Sequence, residues 1–118
     1  MTLTADLYFS FRSPYSYLSV GRYRAMSEKF NLTLALRLVY PLAIRQPDFF
    51  DKNHPNWLSY TIRDMMRVAQ SHDIPFGAPR PDPIVQNPAT REIAAEQPYI
   101  RRVTRMGQAA ARKGSGIA

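Results

Sequence analysis

The stretch FSFRSPYSYL, residues 9–18, sets Ser-Pro-Tyr-Ser directly between a strand-forming run and a helix-forming one. Upstream, residues 5–11 (ADLYFSF) are aromatic-rich, with Leu7, Phe9 and Phe11 on one side and Asp6, Tyr8 and Ser10 on the other, which predicts a strand. Downstream, Ser13 is a suitable N-cap and Pro14 a suitable first helical residue. Tyr17, Leu18, Gly21, Met26 and Phe30 then recur at helical spacing as far as Asn31. Residues 32–40 (LTLALRLVY) alternate Leu32, Leu34, Leu36 and Leu38 with Thr33, Ala35, Arg37 and Val39, a second strand. Strand, helix and strand with short joints make a parallel pair, the opening of an α/β sheet. In such sheets ligands sit beyond the carboxyl ends of the strands, at helix N-termini, and Ser13 occupies that place.

After residue 40 the chain changes character. Residues 41–56 hold Pro41, Pro47, Asp48, Asp51, Asn53 and Pro55 and read as loop. Residues 57–72 carry Leu58, Ile62, Met65, Met66 and Ala69 on one face, an amphipathic helix. Pro75, Pro79, Pro81 and Pro83 keep residues 73–87 extended. Asn87-Pro88 repeats the cap-and-proline start, so helix is expected from there to about Lys113, interrupted before Pro98, with Gly114-Ser115-Gly116 as its stop. Two strands are too few for a stable sheet, so the pattern calls for more strands than the chain holds.

Composition narrows the chemistry. The chain has 118 residues, 45% of them hydrophobic, enough for one modest core. No apolar run approaches the ~18 residues of a membrane span, and the N-terminus lacks the pattern of a secretory signal. With no cysteine there is no disulfide, no thiolate metal ligand and no thiol nucleophile, a usage that fits the cytoplasm. His54 and His72 stand apart from carboxylates at ligand spacing, so no metal is expected. A net charge of +7 favours anionic partners. Arg91, Arg101, Arg102, Arg105, Arg112 and Lys113 concentrate that charge, read here as a solvated helix face. With Tyr99 alone available for base stacking, a nucleic-acid surface is the weaker reading.

Taken alone, Ser13-Pro14 is ordinary helix capping, contributing about 1 kcal/mol. Its position adds something. A hydroxyl between a strand's carboxyl end and the positive end of a helix is placed to receive an anion. In thioredoxin-like folds this turn carries Cys-x-x-Cys, whose first thiolate is stabilised by the helix. Here the same frame reads Ser13-Pro14-Tyr15-Ser16. Serine without a neighbouring base is a poor nucleophile, so a site that stabilises a thiolate borrowed from elsewhere is the better reading. Beside the turn, Arg12 can attract a carboxylate or simply be solvated. Tyr60 can donate to an enolate or pack. Asp64 and Arg67, at i and i+3, are either an exposed ion pair or substrate-side groups. Trp57 is read as a packing anchor.

"DLYFSFRSPYSYL" together with "YTIRDMMRVAQSHDIPF" resembles the glutathione-dependent 2-hydroxychromene-2-carboxylate isomerases and the kappa-class glutathione transferases, both of the DsbA-like thioredoxin superfamily. The carrying positions are the Ser13–Leu18 turn and Tyr60, Asp64, Arg67, Ile74 and Pro75. The resemblance implies an α/β fold in two parts. Residues 1–45 would be the N-terminal βαβ portion of a thioredoxin-like fold and residues 46–118 an incomplete inserted helical domain, with the C-terminal ββα half missing from this chain. It further implies glutathione as cofactor, held at Ser13, Pro14 and Tyr15, with Ser13 hydrogen-bonded to the sulfur. The thiolate would add reversibly to a small aromatic carboxylate, and Asn53 is a substrate-side candidate by the same resemblance. Relatives are commonly dimers, which makes a homodimer an expectation too. The alternatives are a kappa-like transferase and a truncated, non-catalytic chain.

Overall fold

The structure is a computed structural model that describes residues 1–114. The elements run β1 (Leu3–Phe9), α1 (Pro14–Lys29), β2 (Leu32–Leu38), α2 (Leu42–Arg45), α3 (Phe49–Lys52), α4 (Asn56–Ser71) and α5 (Pro98–Arg112). The chain is thus mixed α/β, with β1 and β2 forming a parallel two-stranded sheet around the crossover helix α1.

The register pairs Leu3, Ala5, Leu7 and Phe9 with Leu32, Leu34, Leu36 and Leu38. In-register pairing puts all eight on one face of the sheet. The other face carries Asp6 and Arg37, whose side chains meet at 3.1 Å. The expected alternation therefore holds in both strands, while the boundaries differ. β1 begins and ends two residues earlier than the pattern predicts, because pairing with β2 runs from Leu3 to Phe9 and Ser10 then turns away to bond Ser16. Phe11 leaves the strand and meets Phe9 edge-on, with ring centroids 5.6 Å apart.

α5 lies against β2. Its approach is so close that a Cβ on Gly107 would stand 2.5 Å from the Phe11 ring. Gln108 completes the contact by accepting the Leu38 N–H at 3.0 Å. α1 packs on β2 and α4.

Two expectations after residue 40 are corrected. The segment read as loop contains two single-turn helices, α2 and α3. No helix begins at Asn87-Pro88. The Asn87 side chain instead accepts the Ala89 and Thr90 N–H groups, Arg91 takes a left-handed φ of 61°, and the chain doubles back so that Gln86 bridges Ile93. Asn caps such a turn as readily as a helix, and tertiary pairing decides which. The apolar face of α4 is only half covered: Ala69 is buried, but Ile62 and Met66 stay exposed. Gly114, at φ 81°, ends α5 as expected; Ser115 and Gly116 lie outside the described residues.

The core is small. Among the described residues the buried apolar side chains are Leu18, Ala43, Ala69, Ile84 and Ile100. Ile84 and Ile100 meet Ala43, flanked by Ile44, Phe50 and Ile93. The accessible surface is 8911 Å², against about 6,500 Å² for a compact monomer of this mass. The radius of gyration is 15.8 Å, against about 13.5 Å. Much of the excess is apolar surface that a two-stranded sheet and its helices leave open, including Leu3, Tyr8 and Phe30.

Candidate functional site

Ser13 sits at the N-cap of α1, as the sequence predicts. Its backbone is extended (φ −89°, ψ 116°) and its hydroxyl accepts the Ser16 N–H at 3.3 Å. The turn before it is cross-bonded. Ser13 N–H donates to the Ser10 carbonyl at 3.2 Å, Arg12 N–H to Ser10 Oγ at 3.4 Å, and Ser10 N–H to Ser16 Oγ at 3.4 Å. A serine hydroxyl that accepts one bond keeps its own hydrogen to donate. Capping and thiolate stabilisation are therefore compatible roles for the same atom.

Ser13 is half-buried and opens on a cleft of about 1210 Å³. The Ser10–Ser16 turn forms one side, Phe50 and Trp57 the apolar side, and Arg45 and Arg101 part of the rim. Both arginines converge on Tyr40. Arg45 Nε donates to its carbonyl at 2.8 Å, and the Arg101 guanidinium lies 5.4 Å from its ring centre. Trp57 is both packing anchor and cleft wall, stacked edge-on against Phe49 at 5.4 Å.

The other candidates are dispersed. Arg12 is not a free carboxylate receptor: its guanidinium forks onto Asp82, with both bonds at 2.8 Å. Partial burial raises the Asp82 carboxyl, but the Arg12 hydrogen bond, the Ile84 N–H and the Arg12 charge together outweigh it and hold Asp82 below its ordinary value. Tyr15 donates to Asp64 at 2.6 Å. Partial burial, then the Asp64 bond and charge and the neighbouring Tyr60, push the Tyr15 phenol up to about 12. Asp64 is therefore paired with Tyr15, and Arg67, exposed on α4, makes no ion pair with it. Asn53 donates its amide to the Phe49 carbonyl at 2.6 Å, closing α3. Tyr60 is exposed. Neither Asn53, Tyr60, Asp64 nor Arg67 lines the cleft; Pro14 and Tyr15 do.

Two residues without any distinguishing local signal hold the region together. Asp82 lies 70 residues from Arg12. Gln97, buried, accepts the Val85 N–H at 2.9 Å and donates to the Val85 and Ala94 carbonyls at 2.7 and 2.9 Å. Pro81-Asp82-Pro83 reads only as extended chain, and Gln97 only as the residue before a proline.

The His54 ring accepts the Asn56 N–H at 3.1 Å, and His72 lies 3.1 Å from Arg22. Among the described residues no group of three or more His, Asp or Glu could hold a metal, and no helix is long and apolar enough to cross a membrane. No protein-family model, no curated protein and no solved structure matches the chain.

Proposed function

We propose that this chain carries the thiol-activating part of a glutathione-dependent isomerase resembling 2-hydroxychromene-2-carboxylate isomerase, on a thioredoxin-like βαβ opening with a DsbA-like helical insertion. The observation that carries the reading is Ser13: a half-buried hydroxyl with a hydrogen to spare, at the positive end of a 16-residue helix, facing a cleft large enough for a tripeptide. The chain has no cysteine of its own, so the sulfur must be borrowed.

Bound there, glutathione supplies the nucleophile for reversible addition to a conjugated small aromatic carboxylate, followed by single-bond rotation and elimination with no net change in protons. Ser13 donates to the thiolate while the Ser16 N–H, bonded to its oxygen, favours that donation by polarising the hydroxyl. A charge-assisted bond of roughly 1.5–3 kcal/mol lowers a thiol pKa by about one to two units. The dipole of α1 acts in the same direction. Phe50 and Trp57 offer the apolar wall for an aromatic ring, and Pro14 and Tyr15 shape the mouth of the turn.

A second reading has its own support. The exposed Leu3 and Tyr8, the two open strand edges and the excess surface favour a chain that is non-catalytic until another polypeptide, a second copy among the options, covers the sheet. Titrating the thiol of glutathione in the presence of native protein and Ser13→Ala tests the first reading. The expected result is a bound thiol at least one unit more acidic with native protein. Equal values reduce Ser13 to a cap.

A further inference from the structure

We infer that Asp82 is a positioning residue for the Ser13 site, acting through Arg12; the inference rests on the thiol-activating reading above. Arg12 immediately precedes Ser13 and shares its turn. Its guanidinium is held by two parallel bonds of 2.8 Å, the fork geometry that fixes orientation as well as distance. Asp82 is itself held: its Oδ1 also accepts the Ile84 N–H at 3.0 Å. Ile84 belongs to the buried cluster with Ala43 and Ile100. An unbroken line of contacts therefore runs from the centre of the core through Ile84 and Asp82 to Arg12, the residue before Ser13.

The rest of the turn needs such an anchor. Its internal bonds, of 3.2 to 3.4 Å, are long, and beside them Tyr15 ties the far side of the turn to Asp64 of α4 at 2.6 Å. The internal bonds set the shape of the turn, the Tyr15 bond holds its helix side, and the side that precedes Ser13 depends on Arg12. The Arg12 fork reaches 70 residues along the chain, to the loop that Gln97 secures at Val85. The pair also fixes the local charge. With Asp82 in place, the Arg12 charge is paired, so Ser13 and the helix end provide the stabilisation. Loss of either partner lets the turn drift and weakens the Ser13 bond to sulfur.

The test is a comparison of native protein, Asp82→Asn, Arg12→Gln, Arg12→Lys and the Asp82→Asn/Arg12→Gln double variant. One readout is the pKa of bound glutathione, followed by thiolate absorbance. The second, independent of glutathione, is amide hydrogen exchange across residues 10–16. The expected result is a bound thiol about one unit less acidic in every variant, with the double variant no worse than either single one. Exchange in the turn should be faster, and in α4 unchanged. Arg12→Lys keeps the charge but not the fork, so it should behave as a loss. Restoration of the native pKa by lysine, or opposite shifts in Asp82→Asn and Arg12→Gln, overturns the inference by showing that charge rather than placement matters. An acidified thiol in native protein that persists unchanged in Asp82→Asn removes the inference and leaves the thiol reading standing. Native protein that does not acidify the thiol removes both.

Discussion

Tyr15, in the turn that opens α1, donates a 2.6 Å hydrogen bond to Asp64, 49 residues later in the middle of α4. This bond joins the strand–helix–strand part of the chain to its helical part, beside the cleft.

Tyr15→Phe should cost about 1 kcal/mol at neutral pH, the usual value for one hydrogen bond. The difference should depend on pH at the alkaline end. The phenol is raised from 10.0 to about 12 in the folded chain. The folded state therefore holds its proton longer than the unfolded one. The contribution is complete below pH 10 and declines as pH rises towards 12. Tyr15 is 40% exposed, so solvent screening keeps this effect to about 1 kcal/mol. Urea unfolding of native and Tyr15→Phe protein at pH 9 and pH 11 measures it. A stability difference independent of pH would show that the bond to Asp64 does not form.

Gly107→Ala should destabilise despite alanine's better helix propensity. The added methyl would meet Phe11 at 2.5 and 2.6 Å and Leu38 at 3.4 Å. Displacing the ring breaks its contact with Phe9 and costs about 2 kcal/mol, against a propensity gain of about 1 kcal/mol. A net loss of about 1 kcal/mol is expected. In a Phe11→Leu background the same change should become neutral or favourable, and a four-protein unfolding cycle reads the coupling.

Gln97→Leu should be the most damaging of these substitutions. Gln97 is 5% exposed and satisfies Val85 on both backbone groups as well as the Ala94 carbonyl. Leucine leaves the Val85 N–H and the Ala94 carbonyl without partners at about 1 kcal/mol or more each, while the Val85 carbonyl keeps the Ala94 N–H at 3.1 Å. The expected loss is about 2 kcal/mol in urea, and Gln97→Glu, which keeps the acceptor, should lose less.

Thr104→Val should stabilise. The Thr104 hydroxyl in α5 is buried and has no hydrogen-bond partner. Replacing it with a methyl of the same shape removes the desolvation penalty without opening a cavity, a gain of about 1 kcal/mol. A fall in melting temperature would mean that the hydroxyl does find a partner.

Local signals carried the first forty residues. The period-two leucines of 32–38 and the alternation of 5–9 identify both strands, and Ser13-Pro14 marks the helix start to the residue, because side-chain alternation and capping are properties of the adjacent chain. The same signals misplace Asn87-Pro88. An Asx turn and a helix cap use the same side chain in the same way, and only the Gln86–Ile93 bridge separates them. The amphipathic pattern of 57–72 predicts the helix that forms α4, but hydropathy shows which face is apolar and not whether anything covers it.

What the residues alone determined is the order strand, helix, strand, the capped serine at the tip of the first helix and the absence of any sulfur nucleophile. What only the tertiary structure decided is who meets whom: Arg12 with Asp82, Tyr15 with Asp64, Gly107 with Phe11. Each pair is separated by 49 residues or more. No local propensity encodes contacts across such distances; they follow from packing a small core and from matching polar groups that burial leaves without water.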